Sequence, residues 1–456
     1  MRRISAFALC MITACAPMPG AEVTKSVGVD SRSFATSASA TPFGAASPIR
    51  ANRSNAEMAR DFLDLAFRME SGRAIAVMSR FDGPITVGVR GEMPNLAGAE
   101  LSNLLARLRN EAGLDIRTVG AQEPAAITID FVPRAQMRRA VPTAACFVVP
   151  GVSSFADYKT ARGTAQVDWT QLTRRERVVI VIPSDTSTQE VRDCLHEELA
   201  QAIGPLNDLY HLPDSVFNDD NFHTVLTGFD MLILRAFYSP ELQSGMNEAE
   251  VARRLPAVLA RLNPGGEGRA AQMKTVAPRS WVQAVEQSFG SRGGAAKAAA
   301  ERMVSIANAQ GWTDGRMAFS HYALGRAQVT SNPEAAVRAF TRAAEIYRTL
   351  PGGEVHGAHV DMQLAAVALS NSQPGQAVQF ADRAIPVVRQ SQNAALLATL
   401  MLLKAEALEA QGKVAEARAM RLDSLGWARY GFGSEAQVRA RMAEVAALGA
   451  RGRRGG

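Results

Sequence analysis

Apolar positions along this chain change period twice, and the changes divide it. Residues 16–50 are Ser, Ala, Thr, Pro and Gly with little to bury, which predicts a disordered tether. Residues 55–70 then place Met58, Phe62, Leu65 and Met69 at helical spacing, predicting an amphipathic helix. Residues 84–90 alternate as a strand, and Leu101, Leu104, Leu105 and Leu108 mark the next helix. Residues 126–132, 145–149 and 177–183 read as further strands, the last apolar enough to be central in a sheet. Interleaved strands and helices predict an α/β or α+β domain.

The next predicted helix opens at Ser187, where Glu190 three residues on suggests a capping box, and carries an apolar stripe of Val191, Leu195, Leu199, Ala202 and Ile203. Gly204 and Pro205 stop it, the glycine through an expected left-handed cap. Thr227 and Asp230 form a second capping box, opening a helix that Pro240 ends, and residues 247–262 make one more. From about residue 300 the pattern is purely helical and repetitive. Ala336, Phe340 and Ala343 are echoed by Ala377, Ala381 and Ala384 and again by Ala417, Arg421 and Ser424, at offsets of 41 and 40 residues.

Composition changes this picture little. The chain has 456 residues, 47% hydrophobic and 21% charged, enough for two or three domains. Its net charge of +6 is carried by scattered Arg apart from the tail Arg451, Arg453 and Arg454, and aromatics are only 6%. A nucleic-acid face needs clustered cations and stacking rings, so that partner is not expected. Arg2 and Arg3 precede an apolar run too short for a bilayer, which reads as a signal peptide. Ile12-Thr13-Ala14-Cys15 resembles a bacterial lipobox, implying lipidation of Cys15, and Ala16 after it favours the outer membrane by resemblance to Gram-negative lipoproteins. With Cys10 leaving in the signal and Cys15 lipidated, Cys146 and Cys194 remain. In an oxidising compartment the pair is expected to form a disulfide pinning the Ser187 helix to a strand, the alternative being two buried thiols.

Candidate chemistry concentrates in residues 187–220. Glu197, Glu198, Gln201, Gly204 and Asn207 stand where a metzincin has His, Glu, His, Gly and His, so the frame of a zinc-protease helix is present without its imidazoles. Three readings follow. Glu197, Gln201, Asn207 and Asp208 could hold an oxygen-preferring divalent metal with Glu198 as general base; the groove could bind a peptide or envelope polymer without catalysis; or the same residues could form a structural hydrogen-bond network. A zinc site rebuilt from His196, His211 and His223 has irregular spacing, and no Gly-x-Ser-x-Gly elbow is present. Asp214, Asp219 and Asp220 lack the glycine and terminal glutamate of a calcium loop.

Read whole, residues 50–262 resemble a bacterial domain-of-unknown-function family, number 2927. The resemblance rests on Glu197-Glu198-x-x-Gln201-x-x-Gly204-x-x-Asn207-Asp208, Ser215-Val216-Phe217-Asn218-Asp219, Leu226-Thr227-x-Phe229-Asp230 and Tyr238-Ser239-Pro240. That family looks zincin-like, and the helical half resembles tetratricopeptide repeats. The expectation is an α+β zincin-like domain over 51–263 followed by an all-α tetratricopeptide-like domain over 300–450. Around them lie a lipoprotein signal (1–14), a tether (15–50), a linker or helical connection (264–299) and a basic tail (451–456). The expected protein is exported to the periplasm, lipid-anchored, and binds a protein or peptide through its repeats; a divergent metal-dependent peptidase with Glu198 as base is the alternative.

Overall fold

A computed structural model describes residues 24–26, 43, 53–120 and 122–455. The expected signal peptide and Cys15 lie outside the described residues. The first half interleaves α1 (Asn55–Ala66), β2 (Ile85–Gly91), α2 (Ala97–Ala112), β3 (Ile116–Thr118), β4 (Ile127–Val132), α3 (Arg134–Ala140), β5 (Cys146–Pro150), α4 (Phe155–Ala161) and β6 (Val178–Pro183). It continues through α5 (Thr188–Ile203), α6 (Gly228–Phe237) and α7 (Glu248–Leu262). Strands β2, β3, β4 and β6 run parallel and β5 runs antiparallel to β6. The short strand β1 (Thr24–Ser26) adds to the edge, giving the order β1-β5-β6-β4-β2-β3. That strand falls inside the stretch expected to be a disordered tether. Phe43, from the same stretch, is also anchored, stacking 4.8 Å from Trp427.

Both central strands, β4 and β6, are buried along their whole length, which explains why they read as continuous apolar runs. Val179 and Val181 face a core with α3 and α4, whereas Val178, Ile180 and Ile182 face the larger core with α1, α2, α5, α6 and α7. The sheet is thus a mixed α/β layer with helices on both faces, and α5 lies on the larger side. The disulfide is present: Cys146 of β5 bonds Cys194 of α5.

The second half is helical throughout: α8 (Arg279–Gly290), α9 (Gly293–Ala309), α10 (Gly315–Gln328), α11 (Pro333–Thr349), α12 (Glu354–Ser370), α13 (Pro374–Gln390), α14 (Ala394–Ala410), α15 (Val414–Phe432) and α16 (Glu435–Gly455). Consecutive helices pair, and α11, α13 and α15 begin at residues spaced as the 41- and 40-residue offsets require. Small residues predicted to let helices approach are buried: Ala336, Ala343, Ala377, Ala381, Ala384, Ala417 and Ser424. Gly325 of α10 is needed for the same reason, since a Cβ there would lie 2.6 Å from the Phe340 ring. Residues 264–299, expected to be a linker or helical connection, contain α8 and much of α9, and these helices bury Trp281, Val285 and Ala300 in the core of the next pair. Among the described residues no helix is long and apolar enough to cross a membrane.

Candidate functional site

Ser187 caps α5 as its sequence predicts, accepting the Glu190 backbone N–H at 3.2 Å. Only half of the capping box forms, because the Glu190 carboxylate turns away to Arg134 and the Thr186 hydroxyl. The other end departs from expectation more. Gly204 is not left-handed, with φ −147° and ψ −114°. Its Cβ would meet Leu234 of α6 at 2.9 Å, so the glycine permits close helix packing. The last carbonyls of α5 are satisfied by a guanidinium: the Arg175 side chain donates to Gln201 O at 2.6 Å, to Ala202 O at 2.7 Å and to Gly204 O. Complete burial lowers the Arg175 pKa to about 10, still charged at neutral pH.

The residues aligned with a zinc-protease frame come together as follows. Glu198 and Gln201 are both 0% exposed. Glu197, one position round the helix, is half-buried. Among the described residues, neither polar atom of the Gln201 amide has a hydrogen-bond partner. The Asn207 amide N–H donates to the Asp64 carbonyl of α1 at 2.9 Å. Glu197 is held well above the usual carboxylate range, first by burial and then by the charges of Glu198, Asp208, Asp219 and Asp193. Asp208 rises to about 7 through burial and the neighbouring Asp220 and Asp230. Asp219 is also raised by burial and Asp208, and it accepts the Tyr210 hydroxyl at 2.6 Å.

A divalent metal is what the zincin-type frame implies. Among the described residues no group of three or more His, Cys, Asp or Glu side chains is placed to hold a metal ion. Within the set Glu197, Gln201, Asn207 and Asp208, the Asn207 amide nitrogen is spent on the Asp64 carbonyl, a bond that does not use the amide oxygen a metal would need.

The histidines are structural. His196 accepts the Leu226 backbone N–H through Nδ1 at 3.1 Å, and burial, then Arg107 and Arg192, keeps the ring neutral. His211 pairs with Asp61 at 2.8 Å. The Thr227–Asp230 capping box forms, and the Asp230 carboxylate also accepts the Ser215 hydroxyl at 2.5 Å and the Val216 N–H at 3.2 Å. Asp230 thereby folds the Ser215–Phe217 turn onto α6.

What sequence reasoning missed is the cover. The loop after α5 enters the helical array: Phe222, 1% exposed, packs its ring edge-on to Phe319 and Tyr322 and stacks 4.4 Å from His359. Beside it Asp220 pairs with His356 of α12 at 2.7 Å, both buried. Tyr210 packs on Trp281 and Phe319. At the start of α5 the Gln189 side chain donates to Asn393 at 3.0 Å and accepts Ala395 N–H at 2.8 Å, taking part in the N-terminal cap of α14. Arg192 reaches Gln392 O at 2.5 Å, and Tyr430 of α15 donates to Glu100 of α2 at 2.7 Å. The first helices of the pairs, α10, α12 and α14, therefore face the chain's own α5 and its exit loop. A sequence signal lay in α12 and α14 themselves, whose apolar residues are spread around the helix rather than gathered in one stripe.

A family described as "Protein of unknown function (DUF2927)" matches residues 55–257, which covers the sheet domain through α5 to most of α7. No curated protein and no solved structure matches the chain.

Proposed function

We propose that this is an exported, lipid-anchored envelope protein whose zincin-like domain has lost catalysis and whose tetratricopeptide-like array serves binding or scaffolding. One observation carries this reading: Glu198 and Gln201 are fully buried, on a helix whose exit loop is seated in the helical array. A peptidase must admit a polypeptide to its general base, and Glu198 has no exposed surface to offer one. What supports the zincin-like description is the E-E-x-x-Q-x-x-G-x-x-N-D frame of α5 lying along a mixed sheet with one antiparallel internal strand. The 41- and 40-residue spacing of helix pairs with buried small residues supports the tetratricopeptide likeness. With α10, α12 and α14 turned inward, the partner-binding surface is assigned to the outer helices α11 and α13.

The second reading, a divergent metal-dependent hydrolase with Glu198 as general base, is favoured by the Gln201 amide, buried without a hydrogen-bond partner. Elemental analysis of protein purified without chelators separates the two. The binding reading expects a folded, metal-free protein unaffected in its interactions by Glu198→Gln. Stoichiometric metal that disappears in Gln201→Ala, with the fold intact by circular dichroism, would sink it.

A further inference from the structure

The last two helices form the basic end of the molecule. Residues 413–455 carry a net charge of +5, against +6 for the whole chain. Several of these cations are engaged internally: Arg421 with Glu406 and Glu409, Arg429 with Glu435, Arg441 with Glu444. Lys413, Arg418 and Arg439 are exposed, and none of them has an ion-pair partner among the described residues. On α15, Val414, Arg418 and Leu422 follow one another at four-residue spacing, so they share an outward stripe. Val414 is 63% and Leu422 60% exposed, the two most exposed large apolar side chains described.

One residue of the N-terminal stretch is also seated here. Phe43 packs 4.8 Å from Trp427 and 5.9 Å from Tyr430, both on α15, and the Arg192 guanidinium lies over its ring at 5.3 Å.

The geometry points to α15 and α16 as a docking surface for an anionic phospholipid bilayer. It rests on the envelope reading above for its biological setting, but the surface itself is independent of acylation. Exposed cations lower the free energy near an anionic surface, and exposed Val414 and Leu422 can enter the headgroup boundary. Cation and apolar side chain on one stripe is the combination such a surface takes up.

Vesicle flotation tests it, using the full chain with Cys15→Ser so that no acyl group contributes. Vesicles of phosphatidylglycerol and phosphatidylethanolamine should carry the protein at low salt and release it at about 0.5 M salt, while phosphatidylcholine vesicles should not. Lys413→Glu, Arg418→Glu and Arg439→Glu together should abolish flotation, each neutralised cation being worth about fivefold in partitioning. The same number of reversals at exposed Arg117, Arg162 and Arg253, which gives the same net charge, should float like the parent. Equal flotation on neutral vesicles, retention by the first triple variant, or equal loss in the second would each overturn the assignment. Metabolic labelling of Cys15 with a fatty acid tests the envelope reading separately: no label with flotation intact defeats that reading and leaves the surface standing.

Discussion

Replacing both Cys146 and Cys194 by Ala is expected to cost about 4 kcal/mol of stability. The bridge closes a segment of 48 residues containing β5, α4, β6 and the first turns of α5. In the chain-entropy account, cross-linking a segment of that length removes about 14 cal/mol/K from the unfolded ensemble, or about 4 kcal/mol at 25 °C. That is large against the roughly 5–15 kcal/mol by which domains are stable. Urea unfolding followed by far-ultraviolet circular dichroism measures it: the midpoint should fall in the double variant and in the reduced parent alike. Amide exchange should show protection lost first in α5 between Ser187 and Cys194, because the second half of the helix is still clamped at its end by Arg175. A double variant within about 1 kcal/mol of the oxidised parent would refute the reasoning, since it would mean that packing of α5 on β5 already restricts the unfolded chain as much as the bond does.

Phe222→Ala should cost about 3–5 kcal/mol, as for other buried Phe truncations, and split one calorimetric transition into two as the halves unfold separately; a single unshifted transition would show that the ring is not the anchor. Gln201→Leu should be neutral or stabilising by about 1 kcal/mol, since it removes a buried amide that makes no hydrogen bond, and a large loss of melting temperature would show that the amide holds something. The pH dependence follows from carboxylates raised in the fold. Asp208 and Asp193 titrate at about 7 and Asp230 at about 6, against 3.8 for a free Asp, so their contribution is present below about 4 and lost as pH rises through 6 to 7. His359, lowered to about 3 by burial and by His356 and His223, works the other way and costs stability as pH falls below 6.5. The melting temperature should therefore pass through a maximum in mildly acidic solution and drop by pH 8; a monotonic rise to pH 8 would contradict the assignment.

Local features of the fold were legible because their partners are local. Ser187 and Thr227 cap the helices they precede, and the strand at residues 178–183 announced its two-sided burial by having no polar position. Arg175 was illegible because the carbonyls it satisfies lie 26 to 29 residues away, and nothing in an Arg-Arg-Glu-Arg run says which guanidinium turns inward. Glu190 was misread in part for the same reason: Arg134 arrives from a distant helix and outcompetes the cap. In the candidate site the frame of α5 was readable, but its solvent exposure was not. Phe222 sits among Asp and Asn in a stretch with the composition of a surface loop, and the apolar residues spread around α12 and α14 hinted that something must cover them.

The seating of Tyr210 and Phe222 in the helical array bears on where this chain can be divided. The matching family ends at residue 257, yet the apolar core of the first helix pairs includes two rings from inside that boundary. A fragment ending there would present both rings, together with the Gln189 and Arg192 side chains, to solvent as an adhesive strip. The family boundary thus marks a unit of sequence kinship and not a unit of folding.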